Sequence, residues 1–151
     1  MSIETRLQEL GLTLPEVPAP VASYVNCVRT GNTVHLSGGL PFDDEKKYVG
    51  KIPIDLSIEE GQAAAHMIIL NRLAVLRNEL GNLDKITRIV SLQGFVSSPP
   101  DFYDHPKVIN GASDLLLEIF GEAGKHSRIA LGVSALPLNA AVEISMVVEV
   151  A

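Results

Sequence analysis

The sequence has no tryptophan and one cysteine, and aromatic residues make up 5% of its 151 residues. A single cysteine, Cys27, excludes an intramolecular disulfide, and the absence of clustered cysteines and histidines argues against a structural zinc site. Few aromatic side chains are present on which single-stranded nucleic acid could stack. Runs of lysine and arginine are also lacking and the formal net charge is −6, so the composition argues against nucleic acid and anionic membranes as partners.

Long hydrophobic runs are missing as well. The longest strongly apolar stretches, residues 63–70 and 140–151, fall short of the roughly 20 residues that a membrane-spanning helix needs. The first residues mix acidic and basic side chains with no apolar segment behind them, which is unlike a signal peptide. We therefore expect a soluble, cytoplasmic protein. Its length and its 46% hydrophobic residues fit one domain over residues 1–151, whose core needs neither a disulfide nor a metal.

Glycine, proline and capping residues divide the chain into predicted elements. Ser57 and Glu60 have the spacing of a capping box and predict a helix that runs to about Leu80 and stops at Gly81. Proline in the first turn favours a second helix from about Pro106 to residue 120. Residues 40–56 are expected to form a surface loop. Strands are predicted over residues 23–30, 33–39, 85–97, 127–136 and 141–150.

The resulting order is ββαβαββ, which indicates an α+β fold with one sheet and both main helices packed on one face. A short helix over residues 3–10 and a proline-rich stretch form an N-terminal extension over residues 1–17.

Alternation in the last two predicted strands separates two faces. One row of the final strand is apolar and is expected to meet the helices: Val142, Ile144, Met146, Val148 and Val150. In the preceding strand Arg128 shares a face with the small residues Ala130, Gly132 and Ser134, and we expect that face to lie opposite the helices. A mixed sheet face of this kind must be covered, and in a chain of this length another copy of the chain is the expected cover.

Two charged side chains in these strands are candidates for chemistry. The planar fork of Arg128 suits a carboxylate, with open volume left by its small neighbours, although an exposed arginine paired with a nearby acid is the ordinary alternative. Glu143 interrupts an apolar strand and is either a general acid or base or a solvated edge residue. If the two strands pair as a hairpin, the two side chains lie more than ~10 Å apart along the ribbon. One small site then holds both only if it lies between subunits or if the strands bend strongly.

Other signals are weaker. The four histidines lack metal-ligand spacing, so no metal site is predicted. The segment around Ser37 and the glycines after it lacks the GxSxG pattern of a nucleophile elbow and the remainder of a phosphate-binding fingerprint.

The segment HSRIALGVSALP at residues 126–137, followed by Val-Glu-Ile at 142–144, resembles the signature of the YjgF family. This family is also called Rid (reactive intermediate deaminase), and many members carry the label endoribonuclease L-PSP. Earlier segments agree in order: one around Tyr24, one around Ser37 that ends in Ser-Gly-Gly-Leu-Pro, and Val-Ile-Asn ending at Asn110. The resemblance covers residues 18–150, and the N-terminal helix and residues 42–53 look like features of a longer subgroup.

The resemblance implies a chorismate-mutase-like fold with a single mixed sheet, assembled as a homotrimer with sites in the clefts between subunits. It also implies hydrolytic deamination of reactive 2-imino or enamine acids to 2-keto acids and ammonia, as in 2-iminobutanoate/2-iminopropanoate deaminases, with no metal or organic cofactor. By position, Arg128 would hold the substrate carboxylate and Glu143 would orient and activate the attacking water. The pocket would be lined by Tyr24, Ser37, Asn110 and Ala130.

One departure from the family pattern is Ala130, where many deaminase members have cysteine. If that position acts through its backbone amide, alanine is harmless, and imine hydrolysis needs no nucleophilic side chain. Two alternatives stay open: a trimer that binds or senses a small carboxylate without turnover, and an endoribonuclease. The acidic charge and the lack of a histidine pair or metal ligands argue against the nuclease.

Overall fold

A computed structural model describes residues 1–20 and 22–151 of the chain. The elements are three helices, α1 (Ile3–Glu9), α2 (Ile58–Leu80) and α3 (His105–Phe120), and five strands, β1 (Cys27–Thr30), β2 (Thr33–Gly39), β3 (Ile86–Ser97), β4 (Ser127–Val133) and β5 (Val142–Val150). Single 3-10 turns lie at Leu83–Lys85, Gly121–Gly124 and Pro137–Asn139. The predicted α+β class, the order ββαβαββ and the short N-terminal helix are confirmed.

Helix α2 begins and ends where the sequence predicts. The Ser57 hydroxyl accepts a hydrogen bond from the backbone N–H of Glu60, and the Glu60 carboxylate accepts one from the Ser57 N–H. These two bonds satisfy N–H groups that the first turn of a helix leaves without partners. At the other end Gly81 adopts a left-handed conformation with φ of 79° and donates to the carbonyl of Arg77.

The five strands form one sheet in the order β1-β2-β5-β3-β4. Strand β4 runs parallel to β3, and all other pairs are antiparallel. The two final strands therefore do not form a hairpin, because β3 lies between them. Strand β5 occupies the centre, as its fully buried apolar row favours, and β4 forms an edge.

The hydrophobic core lies between the two main helices and one face of the sheet. The predicted apolar row of β5 is buried in it, and α2 and α3 pack against each other above the sheet. Residues 40–56 were expected to form a surface loop, but Ile52 is fully buried in this core, so part of that segment is structural. No helix in the described part of the chain is long and apolar enough to cross a bilayer.

The other side of the sheet, the open face, is covered by none of the helices in residues 1–20 and 22–151. Its residues, identified from strand register and burial, include Val28, His35, Gln93, Phe95, Ile129, Leu131, Glu143, Ser145 and Val147. Ile129 is 55% exposed and Leu131 is 39% exposed. The apolar residues of β4 thus lie on the open face, and its small residues and Arg128 face the helices. This reverses the prediction made from alternation.

Candidate functional site

Arg128 lies on the edge strand β4 and points toward α3. Its register partner is the buried Leu92, which places the arginine on the helix side of the sheet. Nη1 donates to the Asn110 side-chain oxygen at 2.8 Å and to the Ser113 hydroxyl at 3.0 Å, and Nη2 donates to the carbonyl of Pro106 at 3.3 Å. Arg128 and Asn110, to which the resemblance gives roles in one pocket, are therefore in direct contact. Three acceptors from one helix hold the guanidinium in a defined orientation.

A further side chain reaches Arg128 through Ser113. The His126 ring lies with Nε2 2.9 Å from the Ser113 hydroxyl and Nδ1 2.7 Å from the carbonyl of Gly124. A carbonyl only accepts, so Nδ1 donates to Gly124, and Nε2 and the Ser113 hydroxyl share the second hydrogen bond. The Ser113 hydroxyl in turn accepts from Arg128. The chain of hydrogen bonds thus runs from Arg128 through Ser113 to His126 and ends on the backbone.

The small residues of β4 make room for α3. A Cβ at Gly132 would overlap Nε2 of His105 and would lie 2.8 Å from the Ser98 hydroxyl. His105 and Ser98 are themselves 3.2 Å apart. The sequence predicted open volume beside Arg128 from these small residues, but the part at Gly132 is filled by the His105 ring. Ala130, between Arg128 and Gly132, is half-buried against the core.

Glu143 lies on the open face near β2. Its neighbours Val142 and Ile144 are fully buried on the helix side, so its carboxylate points the other way. The carboxylate lies against the α-carbon of Gly38, where a Cβ would overlap Oε2. Half-burial raises the pKa of Glu143, and the positive charge of Arg72 opposes that effect in part. A carboxyl with a raised pKa is suited to accepting and returning a proton near neutral pH.

Arg72, on α2, approaches the same segment of β2 from the helix side. Gly39 has no side chain, and a Cβ there would lie 2.7 Å from Nε of Arg72. The Arg72 guanidinium is buried, with Nη1 donating to the carbonyl of Ser37 at 3.0 Å. Gly38 and Gly39 lie next to a shift in strand register and allow Glu143 and Arg72 to reach one backbone segment from opposite sides.

Ser37 and Tyr24 lie beside this pair of glycines. The Ser37 hydroxyl donates to the carbonyl of Val25 at 2.6 Å. Tyr24, in the segment before β1, is exposed and lines a cavity of about 180 Å³. The cavity's other walls are Pro18, Ala19, Asn26, Gly38, Leu40, Phe42, Asn71 and Arg72.

The six predicted site residues thus fall into two clusters. Arg128, Asn110 and Ala130 lie on the helix side of the β4 edge. Glu143, Ser37 and Tyr24 lie around β2 and the centre of the sheet, and Glu143 faces the opposite side from Arg128. One copy of the chain therefore does not bring the two clusters into one small site.

Three contributing residues were not predicted: Arg72, Ser113 and His105. A signal for Arg72 is present, because no other Asp, Glu, Lys or Arg occurs between Glu60 and Arg77 in an apolar helix. Ser113 and His105 carry no such signal. Among the described residues no group of three or more histidine, cysteine or acidic side chains could hold a metal ion.

A mixed five-stranded sheet with two helices on one side, and site residues divided between its faces, defines the class of fold. A family model described as "YjgF/chorismate mutase-like, putative endoribonuclease" matches residues 4–150. The chain belongs to this YjgF/Rid family and has its chorismate-mutase-like fold.

The chain is also similar to individual proteins over nearly its whole length. The chain is 43% identical to protein TCP17 of Trypanosoma cruzi over 149 residues, covering 97% of this chain and 93% of that protein. It is 29% identical over 139 residues to a 2-iminobutanoate/2-iminopropanoate deaminase of Dermatophagoides farinae, covering 92% and 94% of the two chains. The crystal structure of Atu1372 from Agrobacterium tumefaciens, a protein of unknown function, superposes with a TM-score of 0.91 at 42% identity, covering 99% and 92%.

Proposed function

We propose that the protein hydrolyses reactive 2-imino acids to 2-keto acids and ammonia, in clefts formed between copies of a homotrimer. The observation that carries the proposal is the hydrogen bonding of the Arg128 guanidinium. Its Nε–H and one Nη2–H have no acceptor among the described residues, while three bonds to α3 hold the group in place. These two hydrogens form the side-on fork that binds a carboxylate with two parallel hydrogen bonds.

The open face supports the assembly. Exposed apolar side chains such as Ile129 and Leu131 on a sheet face without a helix favour burial against another copy. A neighbouring copy can then supply Glu143 to the site that contains Arg128. Membership in the family and the 29% identity to an imine deaminase support the same reaction class.

The reaction needs positioning and proton transfer. The substrate reacts as its protonated imine, the iminium, and Arg128 of one copy holds the carboxylate, which fixes the neighbouring iminium carbon. Glu143 of a second copy takes a proton from water as the water oxygen bonds to that carbon, giving a tetrahedral aminoalcohol. The protonated Glu143 returns its proton to the nitrogen, the C–N bond breaks as the carbonyl forms, and the hydroxyl proton leaves with ammonia as ammonium. Water and iminium thus yield keto acid and ammonium in balance.

Turnover is tested with 2-iminopropanoate generated in situ by an amino-acid oxidase and trapped with semicarbazide. Wild-type protein is expected to compete with the trap, and Arg128→Ala is expected to reduce kcat/KM by at least about 100-fold because the carboxylate loses its charged partner. Arg88→Ala, an exposed arginine on β3, is the matched control. If the wild type accelerates decay of no imino acid yet binds the keto acid products, the protein is a carboxylate-binding trimer.

A further inference from the structure

Arg72 is a buried cation with no counter-ion among the residues that the structure describes. Arg72 is 3% exposed, and its Nε atom is buried with no acceptor in the described part of the chain. The same residues offer no carboxylate within ion-pair distance of it. Burial lowers the pKa of Arg72, and nearby groups including Glu143 only partly compensate. A charge in this position is strongly unfavourable unless an anion joins it in the working state of the protein.

Arg72 lines the cavity of about 180 Å³ together with Tyr24 and Asn26. Asn26 donates its side-chain N–H to the carbonyl of Pro18, which holds one wall in place. The walls also include the apolar side chains of Leu40 and Phe42 and the polar side chain of Asn71. Such a cavity, with one fixed charge among apolar and neutral polar groups, matches a short carbon chain that ends in a carboxylate.

The cavity adjoins Glu143. Gly38 lines the cavity on one side, and the Glu143 carboxylate lies against the α-carbon of the same residue. The backbone of Gly38 and Gly39 lies between the Glu143 carboxylate on the open face and Arg72 on the helix side. A substrate whose imine carbon is close to Glu143 extends its side chain toward Arg72 past this backbone, next to Leu36, where the pairing of β1 with β2 ends.

We propose that Arg72 and its cavity form a second anion site, and that the preferred substrates are 2-imino dicarboxylates. The inference rests on the proposed function: Arg128 holds the carboxylate next to the imine, and Arg72 holds the carboxylate at the end of the side chain. The buried cation gains its counter-ion when this substrate binds. A neutral side chain of the same size leaves Arg72 unpaired.

The test compares imines that differ in charge and hardly in shape. Amino-acid oxidases generate the imines of aspartate and glutamate and, as isosteric neutral partners, those of asparagine and glutamine. For wild-type protein kcat/KM is expected to be at least about tenfold higher for the dicarboxylates, as for hydrogen bonds to a charged group. Arg72→Gln is expected to remove this preference and Arg72→Lys to retain part of it. Arg77→Gln, in the same helix with a surface ion pair to Glu4, is expected to leave it intact.

The wild-type comparison needs no variant and decides the inference even if Arg72→Gln does not fold. Equal rates for acid and amide imines overturn the second anion site and leave the deaminase proposal standing. If no imine is hydrolysed, the deaminase proposal fails, and calorimetry with oxaloacetate and 2-oxobutanoate decides the site separately. Tighter binding of oxaloacetate by at least about tenfold then supports the site, and equal binding overturns it.

Discussion

The side chains of Arg128 and Glu143 leave the sheet on opposite faces. Arg128 is in register with Leu92 and through it with Met146, three residues beyond Glu143 on β5 and two strands away. Two strand spacings and three residues separate the α-carbons by on the order of 14 Å. This separation is the reason that the proposed site combines residues from different copies.

Mixed subunits test this requirement. Arg128→Ala and Glu143→Gln proteins are each expected to lose imine hydrolysis. Unfolded together in equal amounts and refolded, they are expected to recover about a quarter of wild-type activity, because one in four random interfaces combines an intact Arg128 with an intact Glu143. Each variant refolded alone is the control. No recovery in mixtures that refold and assemble would mean that one copy supplies both residues.

Assembly through the open face predicts a size change on substitution. Leu131→Arg places a charge among the exposed apolar residues of β4 and is expected to convert the proposed trimer to monomers, measured by size-exclusion chromatography with light scattering. Ile54→Arg alters a more exposed apolar residue outside the sheet and is expected to leave the mass unchanged. A Leu131→Arg protein with wild-type mass would show that this face is not the interface.

The hydroxyl of Ser113 should matter for substrate binding because it links Arg128 to His126. Ser113→Ala removes one of the three acceptors of the guanidinium, and we expect kcat/KM to fall about tenfold, mainly through KM. Ser98→Ala is the control, since that serine contacts His105 on the same side of the sheet and is not among the described acceptors of Arg128. Equal effects of the two substitutions would indicate general loss of packing.

The raised pKa of Glu143 predicts a pH dependence of stability. Because the folded pKa lies above the unfolded one, folding favours the protonated carboxyl, and this contribution is present at low pH and is lost as pH rises through the folded pKa. Glu143→Gln removes the dependence. We therefore expect the melting temperature of this variant, relative to that of the wild type, to rise between pH 4 and pH 7. Thermal denaturation at fixed protein concentration measures this difference. A constant difference across that range would contradict the raised pKa.

The capping box of α2 predicts a local contribution to stability. Ser57→Ala removes the acceptor for the Glu60 N–H and is expected to lower the free energy of unfolding by about 1 kcal/mol. In a chain of this size that corresponds to about 2–4 °C in melting temperature. Ser2→Ala removes the equivalent cap of the seven-residue α1 and is expected to cost less, because that helix buries little more than Leu7. Equal losses would mean that the cap of α2 is redundant.

Much of the fold could be predicted because its determinants are local. Ser57 and Gly81 mark the ends of α2 through caps that depend on neighbouring residues, and the buried row from Val142 to Val150 follows from alternation. The motif residues allowed the family to be recognised, and Arg128 and Asn110 do meet. The parallel pairing of β4 with β3 could not be predicted, because an alternating strand fits either neighbour equally well.

The sequence alone therefore determined the helices and strands, their order, the family and the candidate site residues that the family motifs contain. Periodicity, helix caps and motifs depend on residues close together in the chain. Only the tertiary structure decided which face of β4 meets the helices. Alternation separates the two faces of a strand but does not show which of them meets the helices. The packing of His105 over Gly132 places the small residues of β4 on the helix side. It also brought Arg72 to Gly39 and Glu143 to Gly38, a juxtaposition of residues 33 or more positions apart that depends on packing between a helix and two strands.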